Sequence, residues 1–583
     1  MTIIRVIKKY NSILSSHQKF RIFELVVLMI LGGLLEMCSV SLVIPFMNAV
    51  LNPEVFFQKW YAKLISQLFR VNSSRMLLVV LAIILALMYI VKNLYLLFQI
   101  NVQYRFVYGN MLDMQKRMLS SYMNRPYEYY LSVDSGEIIR VMNSDIPNAF
   151  SLLTTVLSFV AETIVSVMLV VTILVITPLI TVLMAVVLLT IMLVLTAIVK
   201  PILNRAGKDG QGSQAKMNKW LMQAIQGIKE IKVTHREYYF QKMYADNGAV
   251  FVDTMRKNLV LGSVPRFFIE AVSMSAMFIV IAVLIFVGRE LDSIIPMITA
   301  VGVAAIRLLP STNRMATALN SIAYLEPTLD KLIENLTDVD NYNCERVETE
   351  IGRNENAIRE LKTEISVKNV TYGYPDSNVM VLKDANMTIK KGESVGIVGS
   401  SGAGKTTTVD LVLGLLEINK GNILVDDKDV RDDLVGWYGL IGYIPQNIFL
   451  MDDTIKANVA FGYANSDVDD KKVWKALKDA SLDAFVKSLP DGIYTEIGEQ
   501  GVRLSGGQRQ RIGIARALYR DPQVLIFDEA TSALDNETES DIMESIYNLH
   551  GQKTMIIIAH RLTTIEKCDC VYRVENGNIT KER

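Results

Sequence analysis

Long apolar runs fill the first 310 or so residues of this chain, whereas short apolar runs bounded by glycine and charged residues fill the part beyond about Glu360. Six of the long runs, at about 22–50, 76–99, 152–176, 179–199, 268–288 and 294–312, are each long enough to cross roughly 30 Å of hydrocarbon as a helix. A stretch such as VLMAVVLLTIMLVLTAIV is too long and too apolar for a buried helix of a soluble core. The loops at roughly 100–150 and 200–265 and the N-terminus are rich in Lys and Arg, which places both loops and both termini on the cytoplasmic side. Thr177-Pro178 and Gly288 to Ser293 then make short outer turns. The first outer loop carries Lys59, Lys63, Arg70 and Arg75, against the charge rule at that one place.

Two amphipathic segments flank the spans. MTIIRVIKKYNSILSSHQKF has no apolar core followed by a cleavage site, so it reads as a helix on the cytoplasmic membrane surface with Arg5, Lys8 and Lys9 toward anionic lipid. In FFQKWYAKLISQLF, Phe56, Phe57, Trp60, Tyr61, Leu64, Ile65, Leu68 and Phe69 share one helical face. That face either lies on the outer membrane surface or packs against neighbouring spans. Helical patterns at 126–146 and 220–234 predict extensions of the spans with a short crossing helix at each tip, suited to carrying force from a soluble motor.

Polar residues inside the spans are costly, and Glu36, Lys92, Glu162, Arg266, Glu270, Arg307 and Arg314 are the candidates. Arg307 lies about thirteen residues into its span, roughly 20 Å deep at 1.5 Å per residue, and is expected to face a bundle interior and hold an anionic substrate. Arg314 can instead snorkel to the headgroups, and Arg266 can pair with Glu270 at i, i+4. Glu36 and Glu162 can pair with such cations across helices. Net charge is zero and the charges are interspersed, which argues against a nucleic-acid partner. Cys38, Cys344, Cys568 and Cys570 have no metal-ligand spacing and read as free thiols. The charged, polar stretch from about 326 to 361 suits a linker with partial helix.

The soluble half carries the chemistry. Gly399–Thr406 reads GSSGAGKT between a strand-like run and a helical one. Gly399, Gly402 and Gly404 free the backbone so that N–H groups of this loop, through Ser400 and Ala403, can turn toward phosphate oxygens. Lys405 adds a mobile cation, Thr406 a hard oxygen for Mg²⁺, and Thr407 continues into the helix. VLIFDEA ends in Asp528, suited to Mg²⁺, and Glu529, placed to orient or deprotonate water. Gln446 can reach the metal and the water with a neutral amide, and His560 can hydrogen-bond a γ-phosphate. Tyr374 offers a face on which a base can stack. LSGGQ, with Ser505, Gly506, Gly507 and Gln508, opens a helix whose N-terminus is a second phosphate site. If the two sites lie on opposite sides of one domain they cannot share a γ-phosphate, whereas two copies facing head to tail can.

These residues resemble the ATP-binding cassette (ABC) transporters of exporter architecture. Gly399–Thr406 is similar to the Walker A motif, Gln446 to the Q-loop, Leu504–Gln508 to the signature, and Asp528 and Glu529 to the end of Walker B. Ser532–Asp535 is similar to the D-loop, His560 to the switch histidine and Tyr374 to the A-loop residue. The resemblance implies an α-helical six-span transmembrane domain (residues 1–325) followed by an α/β P-loop ATP-binding cassette domain (362–583), with 326–361 between them. It also implies a homodimer, or a heterodimer with a close relative, that sandwiches two ATPs with Mg²⁺ in a bacterial cytoplasmic membrane. SVSLVIPF, VPRFFIE, RLLPSTNR and the outer amphipathic helix further resemble the PglK-type flippases of lipid-linked oligosaccharides. On that resemblance Arg266, Arg307 and Arg314 would hold a pyrophosphate. The alternatives are an exporter of lipids, hydrophobic drugs or peptides, and an ATP-gated channel or regulator.

Overall fold

The computed structural model describes residues 2–51, 58–69, 73–176, 178–286, 291–339, 357–375, 379–529, 549–558 and 565–583, with a few single residues between them. The side chains of residues 291–309 lie outside the description. Two compact units are present: residues 1–125 with 133–344, and residues 126–132 with 345–583.

In the first unit, Thr2–Ile13 (α1) buries Val6 and Tyr10, with Leu14 next along the same face. The Tyr10 hydroxyl donates to the Ala149 carbonyl. The residues at i, i+4 and i+8 form a stripe along one face of a helix, which explains the docking. It also changes the expectation for the basic residues. Lys9 pairs with Asp330 at 2.5 Å and Glu326 at 3.4 Å, and Arg5 approaches Glu326 at 3.8 Å, so protein carboxylates meet two of the three cations assigned to lipid. Lys8 stays exposed.

Ser16–Leu51 (α2) and, after Trp60–Phe69 (α3), Ser74–Met123 (α4) hold the first two expected spans. In and just before α3, Phe56 and Ala62 are buried against Leu77 and Leu81 with Ile65 beside them, while Leu68 and Phe69 are exposed. The segment therefore packs on neighbouring spans and still presents an apolar edge. The long helix α4 stops at Asn124, and the short helices Tyr127–Ser132 (α5) and Ser135–Arg140 (α6) follow, the latter capped by Asp134 accepting from Gly136 N–H at 2.9 Å. After a π-turn at Val141–Asp145 come Ile146–Ile176 (α7) and Pro178–Gln226 (α8). A break at Gly227 separates Ile228–Thr234 (α9), which ends at His235 in the left-handed region (φ 53°). Glu237–Phe286 (α10) packs on α8, and Leu291–Val339 (α11) on α7. The expected crossing helices at the loop tips are α5 and α9.

Among the described residues three segments, Ser16–Val43, Arg75–Met123 and Gly136–Thr172, are long and apolar enough to cross a membrane. The six long helices α2, α4, α7, α8, α10 and α11 are consistent with six spans. Glu326–Val339, assigned to a linker on its charge, continues α11 because Leu329 and Leu332 recur at helical spacing and are buried.

The second unit is α/β. Glu364–Tyr372 (β1), Leu382–Lys390 (β2), Lys420–Val425 (β4) and Lys428–Asp429 (β5) form an antiparallel sheet in the order β2-β1-β4-β5. Ser394–Val398 (β3) belongs to a second sheet with Ile441–Ile444 (β6), Val524–Asp528 (β7), Thr554–Ile558 (β8), Cys570–Glu575 (β9) and Asn578–Lys581 (β10). Its order is β10-β9-β3-β8-β7-β6, parallel except at β10. Strands β3, β7 and β8 are buried along their whole length, which is why they read as unbroken apolar runs. Alternate residues serve two cores: Leu525, Phe527 and Ile557 point to one, and Val524, Ile526 and Ile556 to the other.

Cys568 and Cys570 are buried and free. Burial pushes the Cys568 thiol up to about 11. At pH 8 only about one Cys568 in a thousand is thiolate, so it is expected to resist iodoacetamide in the folded protein and to react in urea. Because its proton is held more tightly when folded, Cys568 is also expected to cost stability as pH rises from 9 to about 11. Peptide mapping of alkylated protein checks the first expectation; rapid labelling of native Cys568 would contradict it.

Candidate nucleotide-binding site

Strand β3 delivers the chain into the glycine-rich loop at residues 399–404, and Lys405–Leu413 (α12) takes it away. Two glycines are required by position. Gly404 caps α12 at φ 102°, and a Cβ there would lie 2.9 Å from Val381 Cγ1. A Cβ on Gly399 would stand 2.4 Å from the Val574 carbonyl oxygen. Gly402 also has positive φ, at 78°. Gly404→Ala is expected to weaken ATP binding about tenfold, the result of about 1.4 kcal/mol of backbone strain. Equilibrium binding of a fluorescent ATP analogue checks it.

Within the loop, Ala403 N–H donates to the Ser400 carbonyl at 3.1 Å. Lys405 is buried, and its Nζ donates to the carbonyls of Gly399 and Ser400, each at 3.1 Å. The ammonium is thus held against the inside of the loop, where phosphate oxygens can take over these contacts. Thr406, the next residue, is exposed. Thr407 is buried, and its hydroxyl lies 3.1 Å from the Tyr374 hydroxyl. Tyr374 sits just beyond the end of β1 and is only half-buried, whereas Tyr372, inside the strand, is the core residue and packs edge-on against it. The proposed base-stacking ring is therefore tied directly to the phosphate loop.

Strand β7 ends at Asp528, which is buried, with Glu529 beyond it. Glu529 occupies the left-handed region at φ 48°, strained for a residue with a side chain. Gln446 Nε2, from the loop after β6, donates to Glu529 Oε2 at 2.7 Å. The sheet places these residues together because β6 and β7 are parallel neighbours. Burial and the neighbouring Glu529 charge push the Asp528 carboxyl up, and burial with Asp528 pushes Asp410 up to about 6. A carboxylate cluster so crowded gains from a cation. The hard oxygens of Thr406, Asp528 and Gln446 are the donors Mg²⁺ prefers.

Asp410 and Tyr443, whose hydroxyl is 3.5 Å from Asp528 Oδ2, did not stand out in the sequence. Asp410 follows Thr406 by four residues on a helix, so helical spacing alone carries that signal. His560 and Ser532–Asp535 lie outside the described residues.

The signature stretch begins the helix Gly506–Tyr519 (α13). Ser505 Oγ accepts from Gln508 N–H at 3.2 Å, and Gln508 Oε1 accepts from Ser505 N–H at 2.8 Å, forming a capping box. Ser505 and Gly506 are exposed, while Gly507 is buried in the helix packing. Helix α13 packs against β6, whereas α12 follows β3, and β8 and β7 lie between those strands. It is the C-terminal end of α13 that meets β6, where a Cβ on Gly442 would lie 2.9 Å from the Ala517 carbonyl oxygen.

Helix α5 belongs to this unit as well. Glu128 Oε1 accepts from the Tyr372 hydroxyl at 3.1 Å and from Glu417 N–H at 3.0 Å. A continuous set of contacts runs from Glu128 through Tyr372 and Tyr374 to Thr407 on the phosphate-loop helix.

The arginines assigned to substrate stand differently. Arg314 makes a two-pronged ion pair with Glu162, at 2.5 Å from Nε and 3.1 Å from a terminal nitrogen, so a protein carboxylate already answers its charge, while its side chain remains 58% exposed. Glu162 and Glu36 are both expected to pair with cations across helices, and Glu36 does so with Lys92 at 2.8 Å. Arg266 and Glu270 are both exposed, and among the described residues no ion pair joins them. The Arg307 side chain lies outside the described residues.

A helical membrane region joined to an α/β nucleotide-binding unit with this loop and signature helix defines an ABC exporter fold. Residues 382–532 match the family model described as ABC transporter, and residues 39–293 the ABC transporter transmembrane region. Among solved structures, a bacterial Atm1-family ABC exporter with ATP bound superposes with a TM-score of 0.75 at 21% identity, over 97% of this chain and 95% of that one. The uncharacterized ABC transporter ATP-binding protein YwjA of Bacillus subtilis is 43% identical over 223 residues, 38% of each chain. An ATP-binding/permease protein of Staphylococcus aureus, which its name proposes for multidrug export, is 42% identical over 218 residues, 37% of each chain. These matches thus span well under half the length of either curated relative.

Proposed function

We propose that this chain is the protomer of an ATP-driven exporter that acts as a homodimer in the bacterial cytoplasmic membrane and flips a lipid-linked oligosaccharide. The observation that carries the ATP-driven part is that one α/β unit holds two helix origins suited to phosphate, that of α12 after the glycine-rich loop and that of α13 at Ser505. One nucleotide reaches both only when a second copy turns its signature helix toward the first copy's loop. ATP then touches two protomers in the closed state and one in the open state, and that differential contact drives the shift.

Tyr374 stacks the base. The loop N–H groups and Lys405 hold the phosphates, with Thr406, Asp528 and Gln446 holding Mg²⁺. Bound there, Mg²⁺ supplies charge neutralisation on the phosphates. Glu529, oriented by Gln446, accepts the proton of the attacking water, and His560 donates to the γ-phosphate. Closure reaches the membrane region through α5 and α9.

For the substrate, Arg307 supplies a cation for a pyrophosphate, while Glu162 already neutralises Arg314; Arg266 adds a second cation nearer the cytoplasmic side. Planar guanidinium suits phosphate oxygens and keeps its charge in a low-dielectric cavity. The name of the S. aureus relative and the Arg314–Glu162 pair favour a second reading, export of other lipids or hydrophobic drugs. Flips per ATP hydrolysed, measured with a polyprenyl-pyrophosphate oligosaccharide in proteoliposomes, separate the two. Arg307→Ala is expected to lower that ratio about tenfold, the value of one charge-assisted hydrogen bond. An unchanged ratio would remove Arg307 from the substrate site.

A further inference from the structure

The first unit encloses a cavity of about 420 Å³ between α2, α4, α7 and α11, within the size range of about 300–1,000 Å³ common to small-ligand sites. Its wall is about half polar, largely on helices long and apolar enough to cross a membrane, where polar groups are costly. Four charged side chains line it, Glu36, Lys92, Glu162 and Arg314, and they pair among themselves: Lys92 Nζ to Glu36 Oε2 at 2.8 Å, Arg314 Nε to Glu162 Oε1 at 2.5 Å. Among the described residues the lining charges therefore cancel, and an anion entering the cavity meets Lys92 and Arg314 already engaged.

Gln99 also lines the cavity. It is 6% exposed, and among the described residues its Oε1 has no hydrogen-bond partner. An amide oxygen only accepts, so whatever completes it must donate. Across from it, Gly32 keeps the space open: a Cβ there would lie 2.5 Å from Gln99 Oε1. Gln103 Nε2 and Ser158 Oγ, on the same wall, are 3.5 Å apart, the outer limit of a hydrogen bond, and both retain capacity for a closer partner.

We infer that this cavity binds a neutral, hydroxyl-rich head group, a sugar unit of an amphiphile. Hydroxyls donate and accept through one atom, so a sugar can donate to Gln99 Oε1 while it accepts from Gln103 Nε2. It brings no charge into a site whose charges already cancel. An ammonium head group satisfies Gln99 but leaves a cation uncompensated, and a phosphate leaves Gln99 without a donor. The inference narrows the glycolipid reading above and rests on it for the lipid tail that delivers the sugar.

The test uses the full chain in phosphatidylcholine nanodiscs and three radiolabelled probes with the same tail: n-octyl-β-D-glucopyranoside, octyl phosphate and octylammonium. Saturable binding is expected for the glucoside alone, displaced by methyl glucoside, which has no tail. Gln99→Leu and Gly32→Ala are each expected to weaken it at least tenfold, with melting temperatures measured alongside to show that both variants fold. Equal uptake of all three probes, preference for either charged head group, or unchanged glucoside affinity in a folded Gln99→Leu protein would overturn the inference. The selectivity of the wild-type protein decides the matter even where both variants unfold. Flipping of a polyprenyl-pyrophosphate oligosaccharide is scored in parallel. Flipping without glucoside binding defeats this site alone, and glucoside binding without flipping defeats the assigned substrate while the cavity stays a sugar site.

Discussion

Glu529→Gln is expected to lower steady-state ATP hydrolysis about 10²–10⁴-fold, the range a positioned general base contributes. The substitution keeps size and hydrogen-bonding shape, since a glutamine Oε1 at this position still accepts from Gln446 Nε2 across 2.7 Å. What disappears is the basic oxygen. ATP binding depends on the loop and Lys405, so binding of a labelled nucleotide is expected to persist, and with hydrolysis blocked the closed pair of cassettes accumulates. Phosphate release and size-exclusion chromatography with ATP read the two effects. Hydrolysis within a few-fold of wild type would show that another group activates water.

Glu128→Ala carries the second large effect. One carboxylate oxygen accepts from both the Tyr372 hydroxyl and the Glu417 N–H. Removing it leaves two donors facing a gap, and each hydrogen bond to a charged group contributes about 1.5–3 kcal/mol. Loss of either is worth at least about tenfold in the fraction of cassettes with α5 seated. Transport per ATP is therefore expected to fall at least tenfold. Tyr372→Phe removes one of the two bonds and is expected to give a smaller loss in the same direction. Coupled transport and hydrolysis assays check both, and a Glu128→Ala protein with undiminished transport per ATP would show that force passes elsewhere.

The contrast between what the chain made legible and what it hid has a physical cause. The phosphate loop, Asp528–Glu529 and Ser505–Gln508 are contiguous, and their neighbours fix the strand or helix that presents them. The long helices follow from apolar length alone. Glu128 offers no such signal, because its partners Tyr372 and Glu417 are 244 and 289 residues away. The same holds for the ion pairs of the membrane region. The acidic residues Glu36 and Glu162 were recognisable as costly, but a sequence without geometry does not say that Lys92 answers the first and Arg314 the second. Charge near the N-terminus misled in the same way: Lys9 reads as a lipid contact until Asp330 and Glu326 are folded beside it. At Glu326–Val339, polar composition masked leucines at helical spacing.

Purified protein reconstituted into proteoliposomes, with ATP hydrolysis and flipping of a polyprenyl-pyrophosphate oligosaccharide followed in the same vesicles, tests ATP-driven export most directly. Flipping is expected to require ATP with Mg²⁺ and to rise in proportion to hydrolysis. Hydrolysis unaccompanied by flipping would exclude that substrate, and flipping that proceeds equally without ATP would contradict a pump altogether.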